Sequence, residues 1–123
     1  MKKANILICD DEKGVRETLK HMLGGEYELS YATNGEEAVE HVKANDVGVA
    51  IMDIKMPKMN GMEALRKIKE LKPGVRVVII TGYESTDVAT EAINLGADDY
   101  ITKPFRQQKI LTQVRALLDS GKA

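Results

Sequence analysis

Short apolar runs alternate with amphipathic stretches along the whole chain. Residues 6–9, 47–52 and 77–80 are apolar runs, with only Gly48 interrupting the second. Runs this short, rich in β-branched residues and apolar on both faces, suit strands buried on both sides, as in a parallel sheet. Residues 27–32 are weaker: Glu28 and Ser30 alternate with Leu29 and Tyr31, the pattern of an edge strand. Residues 99–102 are a fifth, short candidate. Between the runs lie helical patterns. Val15, Leu19, Met22 and Leu23 share one helix face, and Gly24-Gly25 offers a left-handed residue to end it. Asn34 and Glu37 have capping-box spacing ahead of Ala38, Val39 and Val42. Asn60 and Glu63 repeat it ahead of Leu65, Ile68 and Leu71, with Pro73-Gly74 as the stop. Ser85 or Thr86 caps a helix through Val88, Ala92 and Ile93 that ends at Gly96. Ile110, Leu111, Val114, Leu117 and Leu118 mark a last helix. Alternation of this kind predicts an α/β fold, a parallel sheet with helices on both faces.

The bulk numbers narrow the class. A chain of 123 residues forms one domain and buries one core without staples. We read 1–119 as that domain and 120–123 as a polar tail or the start of a linker. Lys plus Arg number 18 against 19 Asp plus Glu, so no broad basic field exists for nucleic acid or anionic membrane. Cys9 is the sole cysteine, which excludes an intrachain disulfide and fits a reducing compartment. No apolar run approaches the roughly 20 residues of a membrane span. The basic start Met1-Lys2-Lys3-Ala4 leads into an apolar stretch that ends at Asp10 without a small-residue cleavage site. That is not a signal peptide, and the expected address is cytoplasmic.

The candidate chemistry occupies one kind of position. Asp10 and Asp11 follow the first apolar run, Asp53 the third, Thr81 the fourth and Lys103 the fifth. In an open parallel sheet all strands end on one edge, where ligands bind. Two anions about 4 Å apart repel by about 4 kcal/mol at an effective dielectric near 20. Clustered carboxylates therefore need protonation or a cation, and hard oxygen donors with open positions suit Mg²⁺. The plain alternative for Asp10-Asp11 is a helix cap and a first-turn acid. Asp53 at a neighbouring strand end favours the metal instead. Asp53 is also the candidate nucleophile, since a carboxylate that attacks a phosphoryl group gives an acyl phosphate. Lys103 precedes Pro104, an X-Pro bond that can be cis and aim a side chain inward. Thr81 either donates its hydroxyl to a phosphoryl oxygen or simply ends a strand, and Gly82 leaves the approach open. His21 and His41 read as surface residues, Cys9 as a small buried hydrophobe, and Met52, Met56, Met59 and Met62 as gap-fillers around the Asp53 loop.

At these residues the chain resembles the receiver domain of bacterial two-component response regulators. The segments that carry the resemblance are Ile6-Leu7-Ile8-Cys9-Asp10-Asp11-Glu12, the run from Met52-Asp53 through Met59-Asn60-Gly61, Ile80-Thr81-Gly82, and Gly96-Ala97-Asp98-Asp99-Tyr100-Ile101-Thr102-Lys103-Pro104-Phe105. The family implies a flavodoxin-like (βα)₅ fold with strand order 2-1-3-4-5. It implies Asp53 as phosphoacceptor, and Asp10, Asp11, Asp53 and the Lys55 backbone carbonyl as Mg²⁺ ligands. Lys103 should pair with the phosphoryl group. Thr81 and Tyr100 resemble a switch pair, while Lys55 and Tyr83 occupy positions that tune acyl-phosphate lifetime. The implied partners are a sensor histidine kinase or phosphotransfer protein, and an output domain or target that meets the fourth helix, fifth strand and fifth helix. Homodimerisation on phosphorylation belongs to the same expectation. So does self-catalysed transfer and autodephosphorylation without enzymatic turnover. Two rivals differ in class. A phosphatase with an aspartyl nucleophile usually needs a cap, and no insertion is large enough to form one. A non-phosphorylated interaction module on the same fold has no use for all of Asp10, Asp11, Asp53, Thr81 and Lys103.

Overall fold

Strands and helices alternate strictly in the computed structural model, which describes residues 4–56, 58–82 and 86–120. In chain order they are β1 (Asn5–Cys9), α1 (Lys13–Leu23), β2 (Glu28–Ala32), α2 (Gly35–Ala44), β3 (Val49–Asp53), α3 (Gly61–Leu71), β4 (Arg76–Thr81), α4 (Thr86–Asn94), β5 (Asp99–Thr102) and α5 (Gln107–Ser120). The sheet order is β2-β1-β3-β4-β5, with every pairing parallel. This is the flavodoxin-like arrangement that the resemblance implies. The expectations placed on Pro57, Tyr83, Ser85, the basic start 1–3 and the tail 121–123 lie outside the described residues. Helix α5 runs through Ser120, one residue into the segment read as a tail.

The apolar runs are apolar on both faces because helices cover both faces. Leu7, Cys9, Ala50, Met52, Val77 and Ile79 join one core, with α2, α3 and Ala92 of α4. Ile6, Ile8, Val49, Ile51, Val78 and Ile80 alternate with them and join the other, with α1 and α5. Strand β2 lies at an edge, and its outer residues Glu28 and Tyr31 stay exposed.

Both capping-box asparagines cap their helices. The Asn34 side chain accepts from the Glu37 N–H at 2.9 Å, and Asn60 accepts from the Glu63 N–H at 3.0 Å. The return bond of the first box goes one residue further back. Glu37 accepts from the N–H and hydroxyl of Thr33, which hold its carboxyl below the usual range. Two expectations need correction. Helix α1 does not end on a left-handed glycine, because Gly24 keeps right-handed angles, φ −64° and ψ −19°. The glycine answers a close approach instead: a Cβ there would lie 2.7 Å from the Lys20 carbonyl oxygen. His41 is not a surface residue. It is half-buried beside Asn45, and among the described residues its buried Nε2 meets no protein hydrogen-bond partner.

At the N-terminal edge of the sheet, Asp98 ties three elements together. Its Oδ2 accepts from the Lys69 ammonium of α3 at 2.7 Å and from the Val77 N–H of β4 at 2.8 Å. Arg76 donates to its Oδ1 at 3.3 Å, and the Asp98 N–H donates to the Val77 carbonyl. Gly96, at φ +106°, turns the chain over the Lys69 stem just before this hook.

Candidate functional site

The C-terminal edge of the sheet collects the predicted chemistry. Asp10 lies one residue past β1, Asp53 ends β3, Thr81 ends β4 and Lys103 lies one residue past β5. Strand order reverses between β1 and β3, so the first and third strand ends open a crevice. The Lys103 N–H donates to the Thr81 carbonyl at 2.7 Å, and the Lys103–Pro104 peptide is cis. The Lys103 ammonium then reaches across two strands. It lies 3.0 Å from Asp53 Oδ2, 3.2 Å from Asp10 Oδ2 and 4.0 Å from Glu12 Oε1.

Asp10, Asp53 and Thr81 are buried, while Asp11, Glu12 and Lys55 are exposed. Asp11, Glu12, Asp53, Lys55, Thr81, Gly82 and Lys103 line an open cleft of about 460 Å³, with Asp10 beneath it. Among the described residues a Cβ on Gly82 would meet nothing within 4 Å. Burial pushes the Asp10 carboxyl up, against the Glu12 N–H and the Lys103 charge, which pull it down. For Lys103, burial works against the ammonium. The bond to Asp53 and the charges of Asp10 and Asp53 together outweigh it and hold its pKa above the ordinary lysine value.

One ammonium does not balance this cluster. Carboxylate oxygens of Asp10, Asp11, Glu12 and Asp53 all lie within 4.8 Å of one another. Such a set of hard oxygen donors fits a divalent cation of the Mg²⁺ type, which keeps waters and takes few protein ligands. Sequence reasoning overlooked Glu12 as a member of the set. The available signal was a third consecutive acid before α1. Tyr100 stands apart from the cleft, half-buried against the core that includes Ala92. With Phe105, Pro104, Arg106 and Lys109 it lines a separate cavity of about 450 Å³.

The loop after Asp53 is fixed by close backbone approach. The Gly61 N–H donates to the Ile54 carbonyl at 2.9 Å, and a Cβ on Gly61 would lie 2.1 Å from the Asp53 carbonyl oxygen. Backbone cannot yield as a side chain does. Gly61→Ala is therefore expected to cost about 2–3 kcal/mol in urea denaturation and to displace Asp53. The Met59 carbonyl accepts from the Gly35 N–H, which pins the same loop to α2. Lys58 supplies its sharp bend at φ +65°.

Cys9 fits its predicted role. It is fully buried, with Sγ 3.3 Å from Met56 Sδ. Burial and then the Asp10 charge push the thiol up to about 12. Native protein at pH 8 should not react with a disulfide reagent within an hour, whereas guanidinium-unfolded protein should react within minutes.

Residues 6–115 match the family described as the response regulator receiver domain. The response regulator MprA of Mycobacterium sp. (strain KMS) is 32% identical over 114 residues, 92% of this chain and 50% of MprA. The chain thus spans about half the length of the curated relatives it matches. A CheY-like receiver domain from Methanospirillum hungatei JF-1 superposes with a TM-score of 0.94 at 33% identity, covering 98% of both chains. A chain from the CheX–CheY–BeF₃–Mg²⁺ complex of Borrelia burgdorferi superposes at 0.90 with 28% identity, covering 94% of this chain and 90% of its own.

Proposed function

The chain belongs to the response regulator receiver domain family of two-component signalling, and from that premise we propose that Asp53 accepts a phosphoryl group. The donor is the phosphohistidine of a sensor histidine kinase or phosphotransfer protein. One observation carries the reading: an ammonium held 3.0 Å from Asp53 and 3.2 Å from Asp10 in a cleft rimmed by further carboxylates. An Asp53 oxygen forms the new O–P bond as the donor's N–P bond breaks, and the N–P electron pair leaves with the imidazole. The product is an acyl phosphate. Lys103 is hydrogen-bonded to the attacking carboxylate beforehand and passes to the phosphoryl oxygens as charge develops there. Asp10, Asp11, Asp53 and the Lys55 backbone carbonyl would hold Mg²⁺, with Glu12 as a further donor at the rim. The bound ion would supply charge neutralisation and orientation of the phosphoryl oxygens.

The output follows from the added anion. Thr81 donates its hydroxyl to a phosphoryl oxygen, and Tyr100 turns inward behind it. The resulting population shift alters the face of α4, β5 and α5, which meets an output domain, a target or a second copy. The domain performs self-catalysed transfer and autodephosphorylation in the cytoplasm, not turnover of a free substrate. Among the described residues no helix is long and apolar enough to cross a membrane. Incubation with acetyl phosphate and Mg²⁺ followed by intact-mass measurement tests the reading. Wild type gains about 80 Da and Asp53→Ala gains nothing. Equal modification of the two proteins would sink it.

A further inference from the structure

We infer that Arg16 is the positioning residue of the cation site. Resting on the proposed cation reading, the inference concerns how the Asp10-Asp11 turn is held. Asp10 is wholly buried, so each of its polar atoms needs a partner. Its N–H donates to the Ala32 carbonyl, its Oδ1 accepts from the Glu12 N–H at 2.9 Å and its Oδ2 accepts from Lys103. The Asp10 carbonyl lies past the last residue of β1. The Arg16 guanidinium donates to it at 2.8 Å.

Arg16 sits in the first turns of α1, half-buried, and reaches back over the turn that carries both aspartates. Its bond locks α1 to the end of β1. Asp10 then stays under Lys103, and Asp11 stays at the cleft. Groups that orient ligands from behind typically control metal affinity by 10–100-fold.

Charge and position predict opposite signs here. Arg16 is a cation near a cluster that would bind a cation. Removing its charge alone tightens divalent binding. Removing its grip on the turn weakens it. Lys20 lies beside Arg16 along the same groove on α1, with no hydrogen bond to Asp10, and serves as the charge control.

The test is Mn²⁺ binding to the full chain, read from the EPR signal of free Mn²⁺ well below the unfolding temperature of each variant. Arg16→Met should bind about tenfold more weakly than wild type, and Arg16→Lys about threefold more weakly, since one flexible donor replaces a planar fork. Lys20→Met should bind as wild type or slightly more tightly. Arg16→Met at or above wild-type affinity overturns the inference. If Arg16→Met does not fold, the same outcome in Arg16→Lys overturns it. A wild type that binds no Mn²⁺ removes the cation reading itself, a result the variants cannot imitate.

Discussion

Lys103→Met should accept phosphoryl groups a hundred to a thousand times more slowly than wild type, roughly the loss seen when a preorganised donor is removed. The same variant should bind Mg²⁺ more tightly. The two effects diverge because Lys103 plays two parts. Before transfer it is a cation 3.0 Å from Asp53 and 3.2 Å from Asp10, so it competes with any divalent ion for the same carboxylates. During transfer it follows the charge onto the phosphoryl oxygens. Magnesium titration calorimetry and an intact-mass time course with acetyl phosphate read the two parts separately. Weaker ion binding together with slower modification would mean that Lys103 merely supports the fold of the cleft.

Asp98→Ala should lower stability by about 2–4 kcal/mol, at the level expected for breaking a largely buried ionic network. For a domain of this size that corresponds to a fall of roughly 10 °C in the thermal midpoint. The side chains of Lys69 and Asp98 are only 17% and 15% exposed, so solvent screens the pair weakly. The variant would leave the Val77 N–H without its side-chain acceptor and the Lys69 ammonium with only the Val75 carbonyl. It would also release the hook that sets β5 against β4. The register Val78 with Asp99 fixes Thr81 with Thr102 at the far end, and so the point from which Lys103 departs. Differential scanning calorimetry gives the midpoint. A shift under 2 °C would show that the network is solvated in solution.

Lys103 and Asp98 differ in how far the sequence reveals their roles. Lys103 was legible because its chemistry depends only on ending a strand in a parallel sheet. Position after an apolar run fixes which edge it occupies, and the same logic located Asp10, Asp11, Asp53 and Thr81. The sheet itself was legible because two-sided burial leaves unbroken apolar runs. Asp98 stands inside the Gly96-to-Phe105 segment that carries the resemblance, where local pattern assigns it no role. Its partners come from 22 and 29 residues away, and nothing in local periodicity encodes such pairings. Arg16 escaped for a different reason: its partner is only six residues away, but a charged residue on an amphipathic helix reads as solvent-facing. His41 shows the converse error, where a polar residue on a helix was assigned to the surface and its ring lies half-buried beside Asn45. Gly24 was placed correctly as an ending, but by the wrong geometry, since a composition signal cannot distinguish positive φ from close approach.

Which atom carries the phosphoryl group decides the proposed chemistry. Wild-type protein should be treated with acetyl phosphate, with Mg²⁺ or with EDTA, then reduced with borohydride, which converts an aspartyl phosphate to homoserine. Tandem mass spectrometry reads the converted position. The expected result is conversion at Asp53 alone, present with Mg²⁺ and lost with EDTA. Conversion at another carboxylate, or at Asp53 to the same extent in EDTA, would contradict the account.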